Sequence, residues 1–235
     1  MDFYGDVRTR FRVHSGLNGA LGMASRANLR RKVDGNISRL IDIVFSSTAF
    51  LILLPVIALI CIAIVVQDGG SPFFVHRRIG RGGRLFPCLK LRTMVLDSEA
   101  RLRRHLEENP EAQAEWALDQ KLRNDPRITP LGVFLRKSSL DELPQLLNVV
   151  WGHMSLVGPR PIVPAEVPRY GRYMEFYCNM RPGITGLWQV SGRNDISYRR
   201  RVAMDTIYSR TRWFGSDIWI MVRTVPAVFA SKGSF

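Results

Sequence analysis

From Ile43 to Val66 the chain reads "IVFSSTAFLILLPVIALICIAIVV", 24 residues without a charged side chain. A run of that length can cross a bilayer core of roughly 30 Å, so membrane contact is the first constraint on the fold. A secretory signal is a poor match, because the run starts far into the chain and no small-residue cleavage site follows it. A buried helix of a soluble protein is the alternative that its length argues against. Pro55 falls at the midpoint. It removes a backbone hydrogen bond and kinks a helix, and each half, about twelve residues, rises only about 18 Å. Flanking charge is nearly symmetric: Arg26, Arg30, Arg31, Lys32 and Arg39 precede the run, and Arg77, Arg78, Arg81 and Arg84 follow it. A spanning helix usually carries a Lys/Arg bias to one side. The symmetry predicts a Pro-broken, re-entrant helix with both ends on the cytoplasmic face, and a proline-kinked spanning helix is the competing reading.

The whole chain of 235 residues is long enough to bury a core in one or two domains. Its 34 Lys+Arg against 20 Asp+Glu give a net charge of +14, which implies anionic partners such as nucleic acid, phosphate-bearing small molecules or anionic lipid. Cys61, Cys88 and Cys178 lie far apart without metal-ligand spacing, so neither a disulfide framework nor a zinc site is favoured.

Three segments follow from this pattern. Residues 1–36 read as a flexible basic arm able to lie on anionic lipid, residues 37–66 as the re-entrant membrane helix, and residues 67–235 as a cytoplasmic domain docked on the membrane. In the third, "SPFFVHRRIGRGGRLFPCLKLRTM" predicts a β-hairpin. Its "GRGGRL" is no dinucleotide fingerprint, because Leu85 stands at the third glycine position. Residues 97–123 are polar and helix-prone with a break near Pro110, and "NDPRITPLG" is a turn. "WFGSDIWIMVRTVPAVF" suits a helix at a membrane interface, or equally a core helix. The expected class is α+β, predominantly helical: a monotopic membrane-associated domain with interfacial amphipathic helices and a small β-hairpin.

Within "SSLDELPQLLNVVWGHMSLVGPRP", residues 138–161, Pro144 fits only the first turn of a helix. Helical backbone should therefore begin at or just before Asp141. Asp141 and Glu142 then sit at a positive helix end, which favours ionised carboxylates and attracts phosphate. The structural alternative is a cap, since Ser139-x-x-Glu142 matches a capping box and Asp141 suits an N-cap. Adjacent carboxylates fit poorly with glycoside hydrolysis, which sets its pair about 5 Å or more apart across a substrate. They fit better with one carboxylate as nucleophile and the other as ligand to a hard cation. Lys90, Arg92, Arg136 and Arg160 supply basic complement, and Pro159 and Pro161 restrain Arg160 for a phosphate grip.

The ordered motifs "KLRTM", "NDPRITPLG", "FLRKSSLDELPQLLNVVWGHMSLVGPRP" and "RPGITGLWQVSGRN", downstream of a proline-broken membrane segment, resemble those of the bacterial sugar transferases, the monotopic phosphoglycosyl transferases. The likeness covers roughly residues 37–228 and is nearest to short members, such as exopolysaccharide galactosyl- and glucosyl-1-phosphate transferases. It implies transfer of a hexose-1-phosphate from a UDP-sugar, UDP-galactose or UDP-glucose, to undecaprenyl phosphate at the bacterial inner membrane. It further implies that Asp141 is the nucleophile, that Glu142 is its partner, and that the two organise Mg²⁺. Lys90, Arg136 and Arg160 match basic positions implied in phosphate contacts, as does Arg181 in "RPGITG". Pro55 matches the helix-breaking proline, with Leu54 where the family often has serine.

Two other classes compete with an enzyme. A membrane-tethered nucleic-acid binder would explain the charge, but aromatic and basic residues do not interleave and no recognition helix stands out, so nucleic acid is not an expected partner. A non-catalytic scaffold for polysaccharide assembly would share the topology. Association into a homo-oligomer is compatible with the sequence.

Overall fold

The computed structural model describes the backbone of residues 7–119, 122–192 and 196–229, and the side chains of residues 35–117, 122–192 and 196–226. Helix α1 runs from Val7 to Asp68 and contains Pro55. A hairpin follows, β1 (Phe73–Ile79) pairing antiparallel with β2 (Leu85–Leu91). Its turn places Gly82 and Gly83 at φ of 71° and 75°, a region that favours glycine. The polar stretch forms α2 (Ser98–Glu108) and α3 (Pro110–Asp119), with the expected break falling at Asn109 and Pro110 opening the second helix. In "NDPRITPLG" the Thr129 side chain accepts from Gly132 N–H and Pro130 takes the first helical position, which starts α4 (Pro130–Ser138).

Ser139 then adopts a left-handed conformation, φ 59° and ψ 16°. A 3₁₀ turn, Leu140–Glu142, leads into α5 (Gln145–Val150) and β3 (Ser155–Val157). The remaining elements are α6 (Val167–Tyr170), α7 (Met174–Cys178), β4 (Gly183–Thr185), α8 (Leu187–Val190), α9 (Tyr198–Thr211) and α10 (Phe214–Phe229). β3 and β4 pair in parallel, with the helical crossover that parallel strands require lying between them. Gly183 is needed here, because a Cβ would lie 2.1 Å from the Gly158 backbone nitrogen.

Small apolar clusters join these pieces. Phe86 and Cys88 of β2 pack on Val149 and Met154 around α5. Ile79, Ile162, Tyr170, Tyr177 and Val202 close one flank, and Val157, Met180, Tyr208 and Ile220 another. Ile64 of α1 meets Leu91 and Leu135.

The two arms expected on either side of Pro55 belong to one helix in this backbone. A proline costs one internal hydrogen bond, and the residues after it retain theirs, so the helix continues. Both sides of Pro55 touch the same folded unit. Before it, Ser38 Oγ donates to Asp217, Arg39 donates to the carbonyls of Val149 and Val150, and Asp42 accepts from Leu156 N–H. Beyond it, Ile64 packs on β2 and Asp68 is gripped by Arg92. The opposite face is apolar and exposed, with Leu51, Ile52 and Leu59 each about two-thirds accessible. Gly35–Asp68 is long and apolar enough to cross a membrane. The basic arm expected over residues 1–36 falls outside the described side chains, although from Val7 its backbone is part of α1.

Helix α10 combines the two roles considered for it. Ile220 and Asp217 are buried, whereas Trp219, Val222 and Val225 are exposed. An apolar outer face beside a packed inner one is the pattern of an interfacial helix.

One buried group makes stability depend on pH. Asp205 is 3% exposed and accepts a 2.7 Å hydrogen bond from Tyr170; burial raises its carboxyl to about 7. The folded state therefore holds a proton that the unfolded chain, at 3.8, has released. Stability is full below about pH 4 and declines as pH rises to 7, by roughly 4 kcal/mol at most. Asp205→Asn, whose carbonyl still accepts from Tyr170, should flatten that decline and raise the melting temperature at pH 8. An unchanged pH–stability profile would contradict this.

Candidate active site

The site is built where β2 faces the turn before α5. Phe86, Cys88 and Lys90 alternate onto one face of β2, the face that packs toward α5. Asn148, fully buried in α5, fixes the spacing: its Oδ1 accepts from Leu89 N–H at 2.9 Å and its Nδ2 donates to Pro87 O at 2.8 Å. One side-chain amide thus completes the outer edge of β2. Lys90 Nζ is thereby set 3.3 Å from Asp141 Oδ2 and 2.8 Å from Glu142 Oε1.

Helical backbone begins just before Asp141, as Pro144 requires, but its first turn is 3₁₀ and α-helical bonding starts only at Gln145. Such turns commonly open helices. Neither cap is made: no side chain caps the 3₁₀ turn, and Glu142 reaches Lys90. The left-handed Ser139 costs about 1 kcal/mol in backbone energy. It reverses the chain after α4 so that both carboxylates turn toward β2.

Burial raises the Asp141 carboxyl, with the neighbouring Glu142 adding to the shift against the pull of Lys90. Burial pushes Glu142 the same way, yet Lys90 and Arg160 together hold it down, to about 2. Two adjacent carboxylates are thus driven apart, one the stronger base and the other a fixed anion. Burial would strip the charge from Lys90, but Glu142 and Asp141 keep it protonated and raise its pKa.

Arg160 is carried on a loop held by hydrogen bonds to its backbone carbonyls. Pro159 O accepts from Gly183 N–H at 2.8 Å, Pro161 O accepts from Arg78, and Ile162 O accepts from Ile79 N–H at 2.9 Å. Its side chain lines a cleft with Lys90, Glu142, Arg78 and Gln145. Arg136 lies within electrostatic reach of Asp141 while its Nε donates to Thr93 Oγ1 at 2.9 Å. Two other basic residues are placed elsewhere. Arg181 Nε donates to Gly152 O at 2.8 Å, beyond the far end of α5, and so is not brought to the carboxylate pair. Arg92 closes on Asp68 and ties α1 to the hairpin. Pro55 lies in α1, outside the cleft.

Two site residues escape a reading by motif. Arg78 is reached through hairpin register, which pairs it with Phe86 and puts it on the Lys90 face; it sits 3.9 Å from Glu166. Asn148 gives no periodic signal, since a polar residue in an apolar helix is legible only once its strand partner is known.

Among the described residues no group of three or more His, Cys, Asp or Glu side chains could hold a metal by itself. Asp141 and Glu142 nevertheless suit Mg²⁺, a hard cation that takes one or two carboxylates and completes its shell with water and substrate phosphate. Lys90 already shows that a cation is accommodated between these oxygens.

The family description "Bacterial sugar transferase" matches residues 33–231. The chain is 48% identical over 205 residues to the exopolysaccharide production protein ExoY of Rhizobium meliloti, covering 87% of this chain and 91% of that protein. It is 46% identical over 208 residues to the undecaprenyl-phosphate galactose phosphotransferase of Salmonella typhimurium, covering 88% of this chain but 44% of that longer protein. It is 36% identical over 206 residues to the UDP-glucose:undecaprenyl-phosphate glucose-1-phosphate transferase of Caulobacter vibrioides, covering 84% of this chain and 71% of that protein.

Proposed function

Because the chain belongs to the bacterial sugar transferase family, we propose that it moves a hexose-1-phosphate from a UDP-sugar to undecaprenyl phosphate, yielding UMP and an undecaprenyl-diphospho-sugar, the first membrane step of exopolysaccharide synthesis. The observation that carries this reading is the pairing of buried Asp141 with half-buried Glu142, closed by Lys90 beside an arginine-lined cleft. Relatives named for such transfers support the reaction class.

In the first step an Asp141 oxygen bonds to the β-phosphorus, the bond from that phosphorus to the bridging oxygen breaks, and UMP leaves with the electron pair. In the second, an oxygen of undecaprenyl phosphate attacks the same phosphorus and frees the aspartate. Raised basicity suits Asp141 to the nucleophilic role. Lys90, Arg136 and Arg160 offset the repulsion between an anionic nucleophile and an anionic donor. Glu142 anchors Lys90 and, with Asp141, would hold Mg²⁺, which supplies charge neutralisation at phosphate oxygens.

A cytoplasmic-face, monotopic arrangement at the inner membrane is supported by α1. Asp42 and Asp68, either side of Pro55, would lie about 40 Å apart along a straight helix, yet both are bound to the same folded unit. Crossing the bilayer would carry one of these charged contacts through hydrocarbon. A re-entrant α1, with exposed Trp219 and Val222 of α10 at the interface, avoids that cost. Attraction of the basic N-terminal segment to anionic lipid would add to this attachment.

The test is UMP release by purified protein given Mg²⁺, undecaprenyl phosphate and a panel of UDP-sugars. One of UDP-galactose or UDP-glucose should release UMP, and chelation by EDTA should reduce the rate at least about 100-fold. A folded, membrane-bound protein that releases UMP from no donor would leave the scaffold reading in its place.

A further inference from the structure

Next to the cleft, which Gln189 of α8 lines with Glu142, the α8–α9 region contains several polar atoms left unsatisfied among the described residues. Arg201 of α9 stacks its guanidinium 4.2 Å from the ring centroid of Trp188 and also lies over Tyr198 at 5.7 Å. Its Nε is buried without a hydrogen-bond partner among the described residues, and so are Trp188 Nε1 and Gln189 Oε1. Trp188 itself is 4% exposed. Gln189 lines the cleft together with Arg160 and Glu142. Glu166 and Asp205 act on Arg201 only at a distance, and no ion pair of Arg201 or Arg160 occurs among the described residues. Glu166 is engaged instead by Val163 N–H, Tyr198 and Arg78.

Burial depresses the Arg201 pKa, and nearby Arg160 lowers it further. Arg160 lines the cleft and Arg201 lies within its electrostatic reach; two guanidiniums that repel each other, one over a buried indole with its Nε unsatisfied among the described residues, form a costly arrangement unless an anion joins them. We propose that Arg201, held over the Trp188 ring, and Arg160 form an anion subsite that grips the α-phosphate of the nucleotide donor and retains the nucleoside monophosphate as it leaves. This rests on the transferase reading above and adds to it a leaving-group contact supplied by α9. When the bond between the β-phosphorus and the bridging oxygen breaks, the electron pair passes to the α-phosphate oxygen. The charge grows where a planar, pre-oriented guanidinium is worth most.

Equilibrium binding of UMP to the purified full-length protein, followed by calorimetry in detergent, tests the subsite without turnover. Arg201→Ala should weaken UMP binding about tenfold or more, and Arg201→Lys, which keeps charge but not the planar fork, should fall between. Arg104→Ala, on exposed α2, controls for net charge and should leave binding unchanged. Should Arg201→Ala fail to fold, Arg201→Gln removes the charge while keeping a stem over Trp188 and gives the same comparison. UMP affinity indifferent to loss of the Arg201 charge overturns the subsite, even if the parent protein transfers sugar phosphate. Arg201-dependent UMP binding in a protein that turns over no donor would sustain the subsite and defeat the transferase reading instead.

Discussion

Asp141→Asn is expected to abolish UMP release, lowering the rate by about 10⁴-fold or more, while the protein stays folded and membrane-bound. The amide matches the carboxylate in shape but offers no anionic oxygen to the phosphorus. Glu142 is a poor substitute, because Lys90 holds it at 2.8 Å and keeps its carboxyl down at about 2; an anion so stabilised is a weak nucleophile. Its neighbour, buried and raised, is the better base. The same change separates the enzyme from the scaffold, since a scaffold would keep its biological role with asparagine at this position. Transfer at near-parental rate by the asparagine variant would remove Asp141 from the chemistry.

Asn148→Ala should cost about 5 kcal/mol of stability and, in whatever fraction folds, misplace Lys90. Truncation leaves Leu89 N–H and Pro87 O without their partner, at about 1–3 kcal/mol for each buried group, and opens a cavity at a fully buried position. Asn148 O also accepts from His153 and Met154 N–H, so the turn after α5 depends on this residue's placement as well. Urea unfolding in detergent measures the loss. A variant within about 1 kcal/mol of the parent would show that α5 and β2 are held together by other contacts.

The sequence made some of this architecture legible and concealed the rest for identifiable reasons. Two apolar-aromatic runs around a glycine-rich turn predict the hairpin, and Pro110 and Pro130 mark a helix break and a turn, because those signals are local. The carboxylate pair is legible from Pro144, which restricts where helical backbone can begin. The 3₁₀ first turn depends on the left-handed Ser139, and nothing local announces a serine in that conformation. Lys90 is found by motif, but its contact with both carboxylates is a tertiary fact set by Asn148. Arg181 and Arg92 show the limit of reading charges: each has a carbonyl or carboxylate partner that only the fold brings near. Arg201 is the converse, one arginine among three in "YRRR", singled out by the indole beneath it. At Pro55 the residue marks a weak point in a helix, whereas the contacts on both sides of it carry the topological argument.

If Asp141 carries the sugar phosphate between two substrates, intact-mass analysis of the protein incubated with Mg²⁺ and the preferred UDP-sugar, without lipid acceptor, should catch it in the act. The expected result is a burst of UMP approaching one per chain, a hexose-phosphate adduct mapping to Asp141, and its discharge when undecaprenyl phosphate is added. UMP released only when donor and acceptor are both present, with no adduct on the chain, would contradict it.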